Sequence, residues 1–237
     1  MRTILFVIYT VLHTVYTLYH LLIVYILGLM GMKEEQEARI TGTARNWGKA
    51  LVLVSGSKVQ LEGADLVPRD RAVLYVSNHQ SYFDIPLLLG FVPGDKGFIA
   101  KIELARIPIV STWMKKMHSL FLDRENLRKS LLTMREAIDI LKGGHSLVIF
   151  PEGTRSKGGP VAPFKRGSLS IADKAKVPVV PVSISGTYKI LEANKGFKIR
   201  PAVVKVHISE PIYPWELQPG ADLAEMVRER IVSTLDE

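Results

Sequence analysis

The sequence predicts an α/β fold, with a mixed and largely buried sheet flanked by helices and an N-terminal two-helix membrane-associated motif in front of it. Two observations carry this. From about Val59 onward, short β-rich runs alternate with stretches of helical periodicity, and alternation of that kind builds a sheet covered by helices. Before that point, Thr3 to Met32 carries no formal charge and is bounded by Arg2 and Lys33. The change of pattern divides the chain into residues 1–56, hydrophobic and amphipathic helices suited to membrane anchoring, and residues 57–237, a folded domain. A chain of 237 residues buries enough surface to fold without a staple. It has no cysteine, which removes disulfides, thiolate zinc sites and cysteine nucleophiles together.

At about 1.5 Å per residue, the uncharged run is longer than a hydrocarbon core of about 30 Å requires. It is also too long for a cleaved signal peptide, and Gly28-Leu-Met-Gly31 reads as a helix end, not a cleavage site. Thr10, His13, Thr14, Thr17 and His20 recur at helical spacing on one face, with Tyr9, Tyr16, Tyr19 and Tyr25 around them. A polar stripe in lipid needs partners, so this face is expected to meet a second helix or the interface. Ile40, Ala44, Trp47, Leu51 and Val54 form a second stripe. That helix is too polar to span and suits an interfacial position with Trp47 at the boundary, stopped at Gly56. The cations at both ends of the first helix blunt the positive-inside rule, so both full crossing and lying in one leaflet stay open for it.

In the remainder, Val59–Glu62, Ala72–Ser77, Gly97–Ala100, Ser119–Leu122, His145–Phe150, Val179–Ser185 and Ile199–Ile208 read as strands bounded by Gly, Pro and Asp. Leu127, Leu131, Met134, Ile138 and Leu141 place a helix over Glu125–Leu141, ended by Gly143-Gly144; Gly167–Ala175 and Leu223–Leu235 follow. The formal charge of +8 suits nucleic acid, anionic lipid or an acidic partner alike. Its cations are scattered and not interleaved with aromatic residues, which disfavours nucleic acid. The six histidines show no ligand-like spacing, so no metal site is expected.

Two segments each end a buried strand in reactive polar groups. In the first, Val76-Ser77-Asn78-His79-Gln80-Ser81-Tyr82-Phe83-Asp84, a tight turn before the next helix lets Asp84 accept from one imidazole nitrogen and leaves the other free as a base. The alternative makes His79 a strand-end hydrogen bonder and Asp84 the N-cap of a helix at Ile85-Pro86. In the second, Val148-Ile149-Phe150-Pro151-Glu152-Gly153-Thr154-Arg155-Ser156, glycine lets backbone amides approach an anion and arginine offers a fork to phosphate oxygens. The alternative is a surface loop with a Glu–Arg pair.

Taken together, Asn78-His79…Asp84 and Phe150-Pro151-Glu152-Gly153-Thr154-Arg155-Ser156 resemble the glycerophospholipid acyltransferases, in particular the lysophosphatidic acid acyltransferases. Lys101-Ile-Glu103-Leu104…Ile107-Pro108 looks like the family's second motif, with Trp113 and Phe121-Leu-Asp123-Arg124 behind it; Phe164-Lys165-Arg166-Gly167 fits the continuation of the third, and Val177-Pro178-Val-Val-Pro181-Val182 with Gly186-Thr187 looks like the fourth. The resemblance covers about residues 60–210.

The resemblance implies transfer of a fatty acyl group from a thioester, of acyl carrier protein or CoA, to the sn-2 hydroxyl of lysophosphatidic acid, giving phosphatidic acid at a membrane surface. His79 would be the general base and Asp84 its orienting partner, with no acyl-enzyme, no cofactor and no serine or cysteine nucleophile required. Lys101, Gly153, Thr154 and Arg155 would bind phosphate and glycerol, Glu152 would order Arg155 or a glycerol hydroxyl, and Pro181 would support the acyl-site wall. Backbone amides near His79 or Gly153 are the expected oxyanion donors. The catalytic domain is expected on the cytoplasmic face of the membrane. Related acyltransferases using another lysophospholipid or glycerol 3-phosphate remain an alternative. So, more distantly, do a hydrolase and an inert membrane scaffold, though the hydrolase lacks a nucleophile and the scaffold has no use for His79, Asp84, Lys101 and Arg155 together.

Overall fold

The computed structural model describes residues 2–235, with the side chain of Arg166 outside the described set. Two long helices come first, α1 (Arg2–Leu29) and α2 (Lys33–Val54), antiparallel about a short turn at Gly31. Seven strands follow: β1 (Lys58–Glu62), β2 (Leu74–Ser77), β3 (Lys96–Lys101), β4 (Leu120–Leu122), β5 (Ser146–Ile149), β6 (Val179–Ser185) and β7 (Val203–Ile208). They form one sheet in the order β1-β7-β6-β2-β5-β3-β4. Every pairing is parallel except β6 with β7, so the sheet is mixed as predicted. The helices between them are α3 (Asp84–Phe91), α4 (Pro108–Lys116), α5 (Leu127–Lys142), α6 (Arg166–Ala175) and α7 (Leu223–Ser233).

Alternation along the strands sorts the core into two layers. Val73, Tyr75, Val148, Val180, Val182 and Ile184 face α2 and α3, while Leu74, Val76, Leu147, Ile149 and Val179 face α5, α6 and α7. β7 is shorter than its sequence pattern because Ile199 to Ala202 bond elsewhere: Ile199 N–H donates to Thr3 Oγ1 (3.1 Å) and Arg200 N–H to the Ile190 carbonyl (3.0 Å).

α1 is long and apolar enough to cross a membrane by length and composition. Its apolar residues, Leu5, Leu12, Tyr19, Leu22 and Leu29 among them, are exposed. The polar stripe turns inward: Thr17 is buried and accepts from the Trp113 indole (3.1 Å), and His20 Nδ1 lies 3.4 Å from Arg39. The stripe of α2 departs from expectation. Ile40 and Leu51 are buried, and Ala44 and Trp47 pack against the main core, so this face meets protein and not a lipid boundary. The physical reason is α3, whose sequence DIPLLLGF is apolar on all sides and needs a cover.

The contact is close. A Cβ built on Gly48 of α2 meets the Pro86 carbonyl oxygen at 2.5 Å and Gly90 N at 2.9 Å, and backbone atoms cannot swing aside. In an isolated helix Gly→Ala is stabilising by about 1 kcal/mol. Here Gly48→Ala is expected to destabilise by about 1–3 kcal/mol through overpacking, read as a lower midpoint of thermal unfolding in detergent; a raised midpoint would show that the helices separate freely. The far end of α3 is held by Lys96, which is buried and donates to the carbonyls of Val92 (2.9 Å), Leu88 (3.4 Å) and Gly94. Burial pushes its ammonium down to about 7.

Candidate active site

In a parallel sheet, the carboxyl ends of the strands share one edge, where side chains from successive loops converge. β6, β2, β5, β3 and β4 run parallel, so His79 after β2, Glu152 to Arg155 after β5, Lys101 at the end of β3, Arg124 after β4 and Thr187 after β6 are all delivered to that edge.

The turn after β2 brings His79 onto Asp84: Nδ1 lies 2.7 Å from Asp84 Oδ2. Asp84 is fully buried and occupies the first turn of α3. Its Oδ2 also accepts from the amides of Gln80 (2.7 Å) and Ser81 (2.9 Å), and its Oδ1 accepts from the Thr187 hydroxyl (2.6 Å). Each of these partners donates, so Asp84 acts as an acceptor throughout. The shared hydrogen on the His79 side therefore sits on Nδ1, and Nε2 carries the lone pair. The imidazole stacks on Phe150 at 4.1 Å between centroids. Among the described residues Nε2 has no hydrogen-bond partner. The structure takes the first reading of Asp84 and not the second: it orients His79 and gathers the amides of the preceding turn, while the N-cap position of α3 is Phe83, with no side-chain cap bond.

The rest of the turn is clamped from both neighbouring strands. The Asn78 amide exchanges two 2.8 Å bonds with the Ile184 backbone, and Gln80 Oε1 accepts from Gly186 N–H (3.1 Å). On the other side, His79 N–H donates to Glu152 Oε1 (2.6 Å), and the His79 carbonyl accepts from Ser156 N–H (2.8 Å).

Glu152 thus departs from the expectation that it orders Arg155 or a glycerol hydroxyl. It is buried, and its two oxygens are taken by backbone amides, His79 through Oε1 and Ala162 through Oε2 (3.0 Å). Burial pushes this carboxyl up, and the amides of Ala162 and His79 pull it back. A carboxylate out of water takes the nearest donors, and here those are main-chain. Arg155 pairs instead with Glu192 (3.0 Å) and lies 3.4 Å from the centre of the Tyr82 ring.

Gly153 has φ +78°, and a Cβ there would lie 3.3 Å from Lys165 Nζ and 3.4 Å from Arg124 Nη1. Arg124 donates to its carbonyl, and burial lowers that guanidinium from its usual range. The turn therefore carries cations on either side. Thr154 is exposed beside it. Lys101 is exposed, 3.7 Å from Glu103, and touches none of these groups; β5 separates its strand from β2, a gap of about 10 Å.

Pro181, expected in the acyl-site wall, is buried in β6 opposite Val76. By alternation with Val180 and Val182 it points toward α6 and α7. A largely apolar cavity, about 190 Å³ and lined by Trp47, Ile85, Phe98, Ala100, Val110 and Trp113 among others, lies on the other face of the sheet. The expected oxyanion donors are also occupied: the amides of His79, Gln80 and Ser81 donate to carboxylates, and Gly153 N–H donates to the Phe150 carbonyl (3.1 Å). Thr187 and Arg124 stood within recognisable sequence blocks without a role. Glu192 had no sequence signal at all, being an isolated glutamate 111 residues from the serine it binds.

Residues 58–185 match the family model described as Acyltransferase. The chain is 38% identical over 157 residues to the chloroplastic 1-acyl-sn-glycerol-3-phosphate acyltransferase BAT2 of Brassica napus, covering 66% of this chain and 45% of that protein. It is 30% identical over 200 residues to the 1-acyl-sn-glycerol-3-phosphate acyltransferase of Saccharomyces cerevisiae, covering 82% of this chain and 65% of that one. It thus spans about half the length of two chloroplastic plant relatives, 45% and 44%. Among solved structures, the 1-acyl-sn-glycerophosphate acyltransferase PlsC of Thermotoga maritima superposes with a TM-score of 0.75 at 35% identity, covering 100% of this chain and 98% of that one.

Proposed function

This chain belongs to the acyltransferase family, and from that premise we propose that it transfers a fatty acyl group from a thioester to the sn-2 hydroxyl of lysophosphatidic acid, forming phosphatidic acid. The observation that carries the reading is the 2.7 Å contact between His79 Nδ1 and a buried, fully engaged Asp84, which leaves Nε2 as the base. The names of the relatives supply the acceptor, and the cationic turn at Arg124, Gly153, Arg155 and Lys165 suits its phosphate.

The chemistry balances without a covalent intermediate on the enzyme. Nε2 takes the hydroxyl proton as the oxygen attacks the thioester carbonyl carbon. The tetrahedral adduct collapses, the C–S bond breaks, and the imidazolium returns its proton to the departing thiolate. Asp84 stabilises the imidazolium while it lasts. With the amides of His79, Gln80, Ser81 and Gly153 engaged, those of Thr154 and Arg155 are left in the same loop as oxyanion donors. The acyl chain enters the apolar cavity, which adjoins the first turn of α3 at Ile85.

The donor is an acyl carrier protein or CoA thioester, and no cofactor is needed. Lys101 reaches the acceptor from β3. The exposed apolar face of α1 holds the domain, residues 57–237, on the cytoplasmic face of a bilayer. The test is incubation of the full chain in liposomes with lysophosphatidic acid and either donor, with the product identified by mass. Phosphatidic acid is expected. Its absence with both donors, with turnover of glycerol 3-phosphate or another lysophospholipid instead, would move the chain to that acceptor.

A further inference from the structure

We propose that Glu192 is a positioning residue that couples the phosphate end of the site to the base, one carboxylate holding both the turn that carries His79 and the guanidinium of Arg155. The inference rests on the lysophosphatidic acid reading above. The Glu192 side chain is 7% exposed. Its Oε2 accepts from the Ser81 hydroxyl (2.6 Å), and its Oε1 accepts from Tyr82 N–H (2.9 Å) and Arg155 Nη1 (3.0 Å).

Ser81 links the two halves. Its amide donates to Asp84 Oδ2 (2.9 Å) and its hydroxyl, bound to Glu192, accepts from Phe83 N–H (3.0 Å). The residues between His79 and Asp84 are therefore held by two carboxylates, Asp84 from within and Glu192 from the neighbouring loop. One segment after β6 supplies both restraints: Gly186, at φ +91°, turns the chain, Thr187 bonds Asp84, and Glu192 follows.

Arg155 is fixed by the same group. Tyr82 covers one face of its guanidinium, and Glu192 takes Nη1 alone. Among the described residues Nε and Nη2 donate to nothing, so the fork presents a pair of donors to an anion. A mostly buried, charge-assisted bond defines direction as well as energy. When Arg155 moves, Glu192 must move too, and with it the Ser81 hydroxyl, the Tyr82 amide and the turn behind His79.

Two variants of the full chain in liposomes test this, with lysophosphatidic acid and palmitoyl-CoA or palmitoyl acyl carrier protein. Glu192→Gln keeps an acceptor oxygen for Tyr82 N–H, turns its amide group toward the Ser81 hydroxyl as a donor where the carboxylate accepted, and removes the charge against Arg155. Its KM for lysophosphatidic acid is expected to rise about tenfold, the low end for a hydrogen bond to a charged group, with kcat within about threefold. Its preference for lysophosphatidic acid over 1-acylglycerol, which lacks the phosphate, should shrink by the same factor. Glu192→Ala removes every bond and is expected to lower kcat about tenfold as well. A purely structural role would lower activity toward both acceptors equally and leave the preference intact, overturning the proposal. A lower KM in the Gln variant would overturn it too, because Glu192 would then be competing with the phosphate. If the Ala variant fails to fold, the Gln variant decides alone. Failure of the wild type to make phosphatidic acid would count against the functional reading and not against this coupling.

Discussion

His79→Ala is expected to reduce formation of phosphatidic acid by about 10²–10⁴-fold, the usual contribution of a general base, without unfolding the protein. The separation of the two effects follows from how His79 is held. Its backbone is anchored on Glu152 and on Ser156 N–H, and neither bond uses the imidazole. The side chain is 18% exposed and its packing contact is with one ring, Phe150. Alanine therefore removes the Nε2 lone pair proposed to take the hydroxyl proton and leaves the turn in place. The check is turnover under saturating donor and acceptor, together with a thermal unfolding midpoint. A variant that keeps a tenth of the wild-type rate at an unchanged midpoint would remove His79 from the mechanism.

Asp84→Asn is expected to fall nearly as far, by about 10²–10⁴-fold, for a different reason. Asn is the same size, and its carbonyl oxygen can stand where Oδ2 receives His79 Nδ1, Gln80 N–H and Ser81 N–H. Its amide then donates to the Thr187 hydroxyl, which accepts where it once donated. The fold survives, but the charge that stabilises the imidazolium is gone. If the amide flips, it donates to Nδ1 and forces the proton onto Nε2, which then cannot act as a base. Asp84→Ala is the contrasting case, because it leaves two amides and a hydroxyl in a buried site without an acceptor, at about 1–3 kcal/mol each. Asn should therefore lose rate at a nearly unchanged melting temperature, and Ala should lose both. An Asn variant within tenfold of wild type would mean that the carboxylate serves the turn and not the base.

Much of this was legible in sequence because it is local. The strands over Val179–Ser185 and around Ala72–Ser77 end in Gly, Asn or Asp, and their apolar runs are long enough for a two-sided core. His79 and Asp84 lie five residues apart, so the segment itself offered their pairing as one of two readings, and the resemblance selected it. The helix at Pro108–Lys116 went unread because its nine residues are too short for the period to repeat, although Ile109 and Trp113 share one face and proline at its first turn is a valid start.

Composition and periodicity by themselves determined the α/β class, the uncharged first helix and most strand positions, since each depends on residues close together in the chain; the His79–Asp84 pair was one of two readings of its segment, selected by the resemblance to the acyltransferases. Tertiary structure alone decided where the polar ends of those segments would find partners. Glu152 turned to the His79 and Ala162 amides, Arg155 to Glu192 and Tyr82, and the stripe of α2 to α3 and not to lipid. The reason is that a buried charge or an apolar face is satisfied by whichever complementary group the fold brings nearest, and sequence distance carries no information about that.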